Sequence, residues 1–203
     1  MNGLEPAAGE TKSCFSFNGR NRYLIVNTPA SLNVGLCRGL TFEGWIRPET
    51  LAHEELIYEF ESNLGTFNGD DTGINCSLHP ERPGELDFNL VSTDRISHEV
   101  DSPRHLIVTD AWQHIAITYD RASGRAAVYI NGVSVTTTNI GNFTPETSLS
   151  HLVIGARTTF NSVANPGDAF LGKMDALDFY NRELSPAEIK AIYNAPPSDV
   201  KPR

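Results

Sequence analysis

Long apolar runs are missing from this 203-residue chain. With no stretch of about 18 apolar residues, no segment is expected to cross a membrane as a helix. Basic residues are scarce: 16 lysines and arginines stand against 25 aspartates and glutamates, giving a net charge of −9. Phosphate contact needs a basic surface, so nucleic acid is excluded as an expected partner. Cysteine is rare too, at positions 14, 37 and 76, with no Cys-x-x-Cys pair. Three is an odd number, so at least one thiol stays unbridged. A Cys14–Cys37 bridge is left open, because the two flank one N-terminal hairpin, and small buried hydrophobes are the expectation. A chain of this length buries roughly 70% of its unfolded surface, so its core needs no disulfide framework. The start, Met1 to Pro6, lacks a basic-then-apolar leader. That fits either a protein kept inside the cell or a domain cut from a larger one, and the second is expected. The six histidines, at 53, 79, 98, 105, 114 and 151, show no i, i+2 or i, i+4 spacing, which argues against a zinc hydrolase. No internal repeat is present.

What the chain does have is alternation. From Ala111 to Val133, Ile115, Ile117 and Tyr119 alternate with His114, Ala116 and Thr118, and Ala126, Val128 and Ile130 alternate with Ala127 and Tyr129. That period of two places successive side chains on opposite sheet faces. Asp120 to Gly124 is turn chemistry, and Asn131-Gly132 is a strong hairpin signal that sends a third strand through Val133–Thr138. Similar short strands are expected at 13–18, 23–26, 40–47, 55–60, 74–78, 85–92, 96–100, 149–156 and 170–180. The segments 63–75 and 157–169 are expected as loops. One helix is expected, Pro186 to Tyr193, opened by the capping box Ser185-Pro-Ala-Glu188. Many short strands divided by turn residues predict an all-β fold, a two-sheet antiparallel β-sandwich or jelly roll with one short C-terminal helix. Residues 1–12 are expected to be poorly ordered, 13–195 to form the domain, and 196–203, rich in proline, to be a linker.

Three blocks carry a resemblance. They are Leu40-Thr-Phe-Glu-Gly-Trp-Ile-Arg-Pro48, the run Trp112-x-His114-x-Ala116-x-Thr118-Tyr119-Asp120 continued by Val128-Tyr-Ile-Asn-Gly132, and Phe170-x-Gly172-x-Met174-Asp175 continued to Ile189. In this order they resemble a laminin-G-like domain of the concanavalin A-like lectin/glucanase superfamily, over residues 13 to 195. The resemblance implies a sandwich, and it implies a structural calcium ion in many relatives. The ion would be held by the aspartate of the closing block, here Asp175, with oxygens of the N-terminal turn at Asn18, Gly19 and Asn21. Arg20 and Arg22 stand where relatives often carry aspartates, and their charge opposes a cation.

Because glucanases share the superfamily, a carboxylate pair must be sought. Retaining hydrolysis needs two carboxyl groups about 5–5.5 Å apart. Glu85-Leu-Asp87 imitates the first half of a Glu-x-Asp-x-Glu motif, but Asn89 or Leu90 stands where the third acid belongs. Without that proton donor the leaving oxygen is not activated, so catalysis is not expected. His114, Trp45 and Trp112 lie within alternating strands and are expected to be structural. Ligand contact is expected from loops, which carry function more often than the scaffold does. Asn63, Asn68, Asp70, Asp71 and Asn75 offer carboxylates and amides among glycines, suited to calcium or sugar hydroxyls. Arg157 adds charge, and Phe67 and Phe160 are candidate stacking platforms; whether 157–165 and Asp94-Arg95 neighbour the first loop is left open. The expected function is non-catalytic binding of a glycan or glycoprotein within a larger extracellular or cell-surface protein. A protein-adhesion module without sugar affinity is the alternative, and a glycoside hydrolase is disfavoured.

Overall fold

A computed structural model describes residues 14–62, 64, 72–162, 165–197 and 200, with backbone alone for 159–162 and 165. The strands, in chain order, are β1 (Phe15–Asn18), β2 (Leu24–Asn27), β3 (Gly39–Pro48), β4 (Glu55–Glu61), β5 (Thr72–Leu78), β6 (Leu86–Asn89) and β7 (Glu99–Asp101). There follow β8 (Gln113–Asp120), β9 (Arg125–Ile130), β10 (Val133–Asn139), β11 (His151–Ile154), β12 (Arg157–Ser162), β13 (Asn165–Gly167) and β14 (Leu171–Tyr180), then α1 (Pro186–Tyr193). Two six-stranded sheets form the expected sandwich. Sheet A runs β1-β14-β3-β8-β9-β10 and sheet B runs β2-β11-β4-β5-β6-β7.

Alternation decides what each face does. Along β3, Leu40, Phe42 and Ile46 point into the core between the sheets, where they meet Tyr58, Phe60, Cys76 and Phe88 of sheet B. Phe42 anchors this layer, with its ring 4.3 Å from Tyr58 and 5.0 Å from Phe179. The intervening Thr41, Glu43 and Trp45 point outward, yet all three are buried. They are covered on the far side of sheet A by α1, whose Ile189 packs with Ala116, Ala127, Tyr129 and Leu184 in a second small core. Trp45 is therefore structural, as expected, but in this outer layer, stacked on Tyr193 at 5.6 Å.

The turns follow their chemistry. Asn131 and Gly132 both take positive φ, as a tight two-residue hairpin of this twist requires. Asp120 accepts hydrogen bonds from the Ala122 and Ser123 amides, at 3.3 and 3.0 Å, to close the turn into Gly124. The capping box of α1 is complete, the Ser185 side chain accepting from Glu188 N–H while the Glu188 side chain accepts from the Ser185 N–H. Ser185→Ala removes half of it. An expected loss of about 1 kcal/mol in urea unfolding tests this, and no loss would mean that docking alone holds the helix.

One expectation changes. The segment 157–169, expected as loop, contains the hairpin β12–β13, paired at Arg157–Gly167 and Ser162–Asn165 across an irregular register. No disulfide joins Cys14 to Cys37 among the described residues; both are thiols, and Cys76 is buried in the core. Of the expected linker 196–203, residues 196, 197 and 200 are described, and Val200 is 4% exposed. Residues 1–12 lie outside the described residues.

Candidate functional site

Among the described residues, no helix covers the outer face of sheet B. Strand alternation places Glu59 and Glu61 there from β4, Asn75 and Ser77 from β5, and Asp87 and Asn89 from β6, in the rows Glu59–Asn75–Asn89 and Ser77–Asp87–Asp101. These are polar residues on a solvent-side face, yet Glu59 is 1% and Glu61 0% exposed. The start of β12 accounts for this. Thr158 N–H donates to Glu61 Oε1 at 3.0 Å, its hydroxyl donates to Oε2, and Arg157 lies over Glu59.

Arg157 is the centre of an ion cluster. Its Nη1 reaches Asp168 Oδ2 at 2.8 Å and Glu54 Oε1 at 3.0 Å, and its Nη2 reaches Glu59 Oε2 at 3.2 Å. Burial works against the guanidinium charge, but the Glu59, Asp168 and Glu54 carboxylates outweigh it and push its pKa up. Burial also raises Glu59, to about 7, against the pull of Arg157. Beside this cluster Glu55 lines a cavity of about 670 Å³, shared with Asn18, Gly19, Arg20, Glu54 and Asp168. The Glu55 carboxyl is 1% exposed, and its Oε2 has no hydrogen-bond partner among the described residues. Burial lifts it to about 8, although the Leu171 amide bonds to it.

The Glu85-x-Asp87 pair lies further along the same face and is held by arginines. Arg82 bonds Glu85 Oε1 at 2.8 Å and Asp87 Oδ2 at 2.7 Å, and Arg104 Nε takes the other Glu85 oxygen at 3.2 Å. Asn89, in the place of the third acid, donates to Ser97 Oγ at 2.9 Å. Ser77 Oγ sits 3.0 Å from His79 Nε2, at the spacing of a nucleophile and its base. The same Nε2 lies 3.4 Å from Asp87 Oδ2, and Ser77 is buried.

The sandwich end at the β4–β5 connection carries a second cavity of about 720 Å³, lined by Leu36, Arg38, Arg121, Asn142, Phe143 and Thr144 among others. Of the expected ligand residues, Asn63, Phe67, Asn68, Asp70 and Asp71 lie outside the described residues. The feet of their loop are flanked by both candidate neighbours, because Glu61 bonds Thr158 and the Thr72 carbonyl accepts from Arg95 Nη1 at 3.2 Å.

A sequence profile described as the concanavalin A-like lectin/glucanases superfamily, of the laminin G type, matches residues 18–190. The chain is a laminin G-like domain. It is 30% identical over 93 residues, or 44% of its length, to the sushi, von Willebrand factor type A, EGF and pentraxin domain-containing protein 1 of Rattus norvegicus, of which it covers 3%. Among solved structures it is similar to the receptor binding domain of botulinum neurotoxin D, with TM-score 0.69 and 16% identity over 96% of this chain and 46% of that one. It is also similar to the CBM40 of the Ruminococcus gnavus IT-sialidase, bound to α2,3-sialyllactose, with TM-score 0.64 and 15% identity over 85% and 96% of the two chains. The domain thus spans a small part of the curated relative and under half of the toxin domain.

Several expected site residues of this laminin G-like domain need correction. Asn75 is a strand residue of β5, nearly buried, with its amide donating to the Gly73 carbonyl at 3.2 Å. Arg157 is committed to three carboxylates and is not a loop hand extended to ligand. Phe160 belongs to β12, and nothing further is described for its side chain. The proposed calcium set does not converge. Asn18 pairs with Leu171, whereas Asp175 sits opposite Trp45, four residues along β14 and about 13 Å away at strand rise. The Asn18 side-chain oxygen already accepts from the amides of Arg20, Asn21 and Arg22 at 3.0–3.1 Å, and its amide donates to Asn21 Oδ1 at 2.9 Å. Asp175 Oδ1 accepts from the Ala176 amide at 2.8 Å, where a bulge gives Ala176 a positive φ. These residues do not fit one shared ion, and no group of three or more His, Cys, Asp or Glu suits a metal among the described residues.

Sequence reasoning missed Glu54, Glu55, Glu59, Glu61 and Asp168. Glu59 and Glu61 carried a usable signal: they alternate with Tyr58 and Phe60, so period two assigns them to one outer face.

Proposed function

We propose that this laminin G-like domain is a non-catalytic module that binds a glycan or glycoprotein within a larger extracellular or cell-surface protein. The observation that supports it most is the outer face of sheet B. Its acids and amides are held in fixed ion pairs and hydrogen bonds, and the pair that imitates a glucanase motif is neutralised by Arg82 and Arg104. A general acid needs a carboxyl free to deliver a proton to the leaving oxygen. Glu85, clamped by two guanidiniums, is poorly suited to that role. Pre-ordered polar groups beside cavities are instead what sugar hydroxyls require, since ordering costs are met before binding. The sialyllactose held by the sialidase CBM40 and the N-acetylneuraminic acid in the toxin D domain lend support from the same fold.

A broad glycan and polysaccharide array, run with calcium and with EDTA, tests the proposal. Binding that survives EDTA is the expected outcome. Loss in EDTA would restore a calcium-dependent site, and a blank array with folded protein would sink the glycan reading. Protein adhesion without sugar affinity is the second reading. It is favoured by Leu36 and Ile96, exposed at 63% and 58% near one end of the sandwich. Competition by soluble glycans against a protein partner separates the two.

A further inference from the structure

The cavity at the β4–β5 end of the sandwich differs in charge from the rest of this acidic protein. β3 and β8 are neighbours in antiparallel register, with Gly39 opposite Asp120, so the residues just beyond them, Arg38 and Arg121, come together. The Arg121 amide donates to the Arg38 carbonyl at 2.9 Å, and both side chains line the cavity. Among the described residues, no carboxylate pairs with either guanidinium. Within the same set, Arg121 Nη1 reaches the Leu36 carbonyl, at 3.5 Å. Asp94 is the one acid among the described residues of the cavity wall. Two guanidiniums lining one cavity without a paired carboxylate give it a cationic character, unusual in a chain of net charge −9, that a bound anion would complement.

The opposite wall is held rigid. Tyr119 Oη donates to the Gly141 carbonyl at 2.8 Å and accepts from the Phe143 amide at 3.0 Å. The Thr144 carbonyl accepts from the Thr93 amide at 2.9 Å. The Phe143 ring is fixed against His98 at 3.8 Å and Tyr119 at 4.9 Å. Leu36 gives the rim an exposed apolar side chain. Planar cations, a pre-ordered polar wall and an apolar lip together match an acidic sugar: guanidinium forks suit a carboxylate or sulfate, and the lip suits a ring face.

We propose that this cavity is the binding site for the acidic group of a glycan, with Arg38 and Arg121 taking its carboxylate or sulfate. The proposal rests on the glycan-binding reading and assigns it a site and a ligand class. Calorimetry tests it with three probes: 3′-sialyllactose for a carboxylate, a heparin-derived tetrasaccharide for sulfate, and lactose as the neutral control. An acidic probe is expected to bind and lactose to bind far more weakly. Arg38→Gln and Arg121→Gln are each expected to loosen the acidic probe by at least about tenfold, the scale of one charge-assisted contact. Ala122→Trp, an exposed wall position, should block the cavity without changing charge. Arg22→Gln, at an exposed position lining neither cavity, removes the same charge and should leave affinity unchanged. Unaltered affinity in both arginine variants and in Ala122→Trp would overturn this site while leaving a glycan-binding module intact. Binding of lactose as tightly as of the acidic probes would do the same. A folded wild-type protein that binds no glycan on the array and none of these probes would overturn both proposals.

Discussion

Glu55→Gln is expected to raise stability at pH 8.5 by on the order of 2–4 kcal/mol and to change it little at pH 5. Burial holds the Glu55 carboxyl at about 8, against an ordinary value of 4.5. A carboxyl whose folded pKa is raised binds its proton more tightly in the native state than in the unfolded one. Its contribution therefore favours folding at low pH and is lost as pH rises from about 4.5 through 8. Glu59, raised to about 7, and Asp101, raised to about 6 by burial and by Asp87 against Arg82, act with the same sign. Wild-type melting temperature should thus fall steadily between pH 5 and 8.5. Glutamine mimics the neutral acid: its carbonyl keeps the Leu171 amide bond, and its amide occupies the cavity-lining position of the unpartnered Oε2. The variant should flatten that fall, gaining about 5–12 °C at the alkaline end for a domain of this size. A variant melting lower than wild type at every pH would show that the ionised carboxylate is itself stabilising. In that case a cation or water network in the cavity would have to be sought.

Local signals were legible in the sequence and long-range pairings were not. Asn131-Gly132 and Ser185-Pro-Ala-Glu188 each specify their structure within four residues, and both appear as expected. β3 and β8 were visible as strands because core residues alternate along them. That they lie side by side was not visible, and it is this adjacency that brings Arg38 to Arg121 across 82 intervening positions in the numbering. The same limit hid the Arg157 cluster. Its partners come from β4, the turn before it and β13's end, so a cation read as a loop residue proved to be a buried hub. The β12–β13 hairpin was missed for a different reason. It is paired at its two ends across an irregular register, and Pro166 and Gly167 make its second arm look like turn. Asp175 shows that resemblance can name a residue without placing its partners: four positions along a strand are enough to separate it from the Asn18–Gly19 turn.

His114→Leu is expected to cost on the order of 1–3 kcal/mol, the penalty for leaving a buried hydrogen-bonding group unsatisfied. His114 and Glu43 project from adjacent strands onto the outer face of sheet A, under α1, with His114 Nε2 2.8 Å from Glu43 Oε2. Both are buried, at 0% and 2% exposure. Leucine removes the imidazole and leaves the carboxylate with the Tyr180 hydroxyl at 3.5 Å, too long to replace the lost bond. The Trp45–Tyr193 stack beside the pair ties the same site to the helix, because Tyr193 is the last residue of α1. The loss should therefore appear as a weaker near-ultraviolet tryptophan signal as well as a lower urea midpoint. Glu43→Leu alone leaves His114 with both ring nitrogens unpartnered, since Nδ1 already has no partner among the described residues. It should also cost stability, because the buried imidazole then keeps no side-chain hydrogen bond. The double variant Glu43→Leu/His114→Leu removes the unpaired group altogether and should recover most of the loss, so the two effects will be far from additive. Simple additivity would mean that the two residues act only by filling space. A coupling of more than about 1.5 kcal/mol would establish that the pair, and not the volume beneath the helix, holds α1 to the sheet.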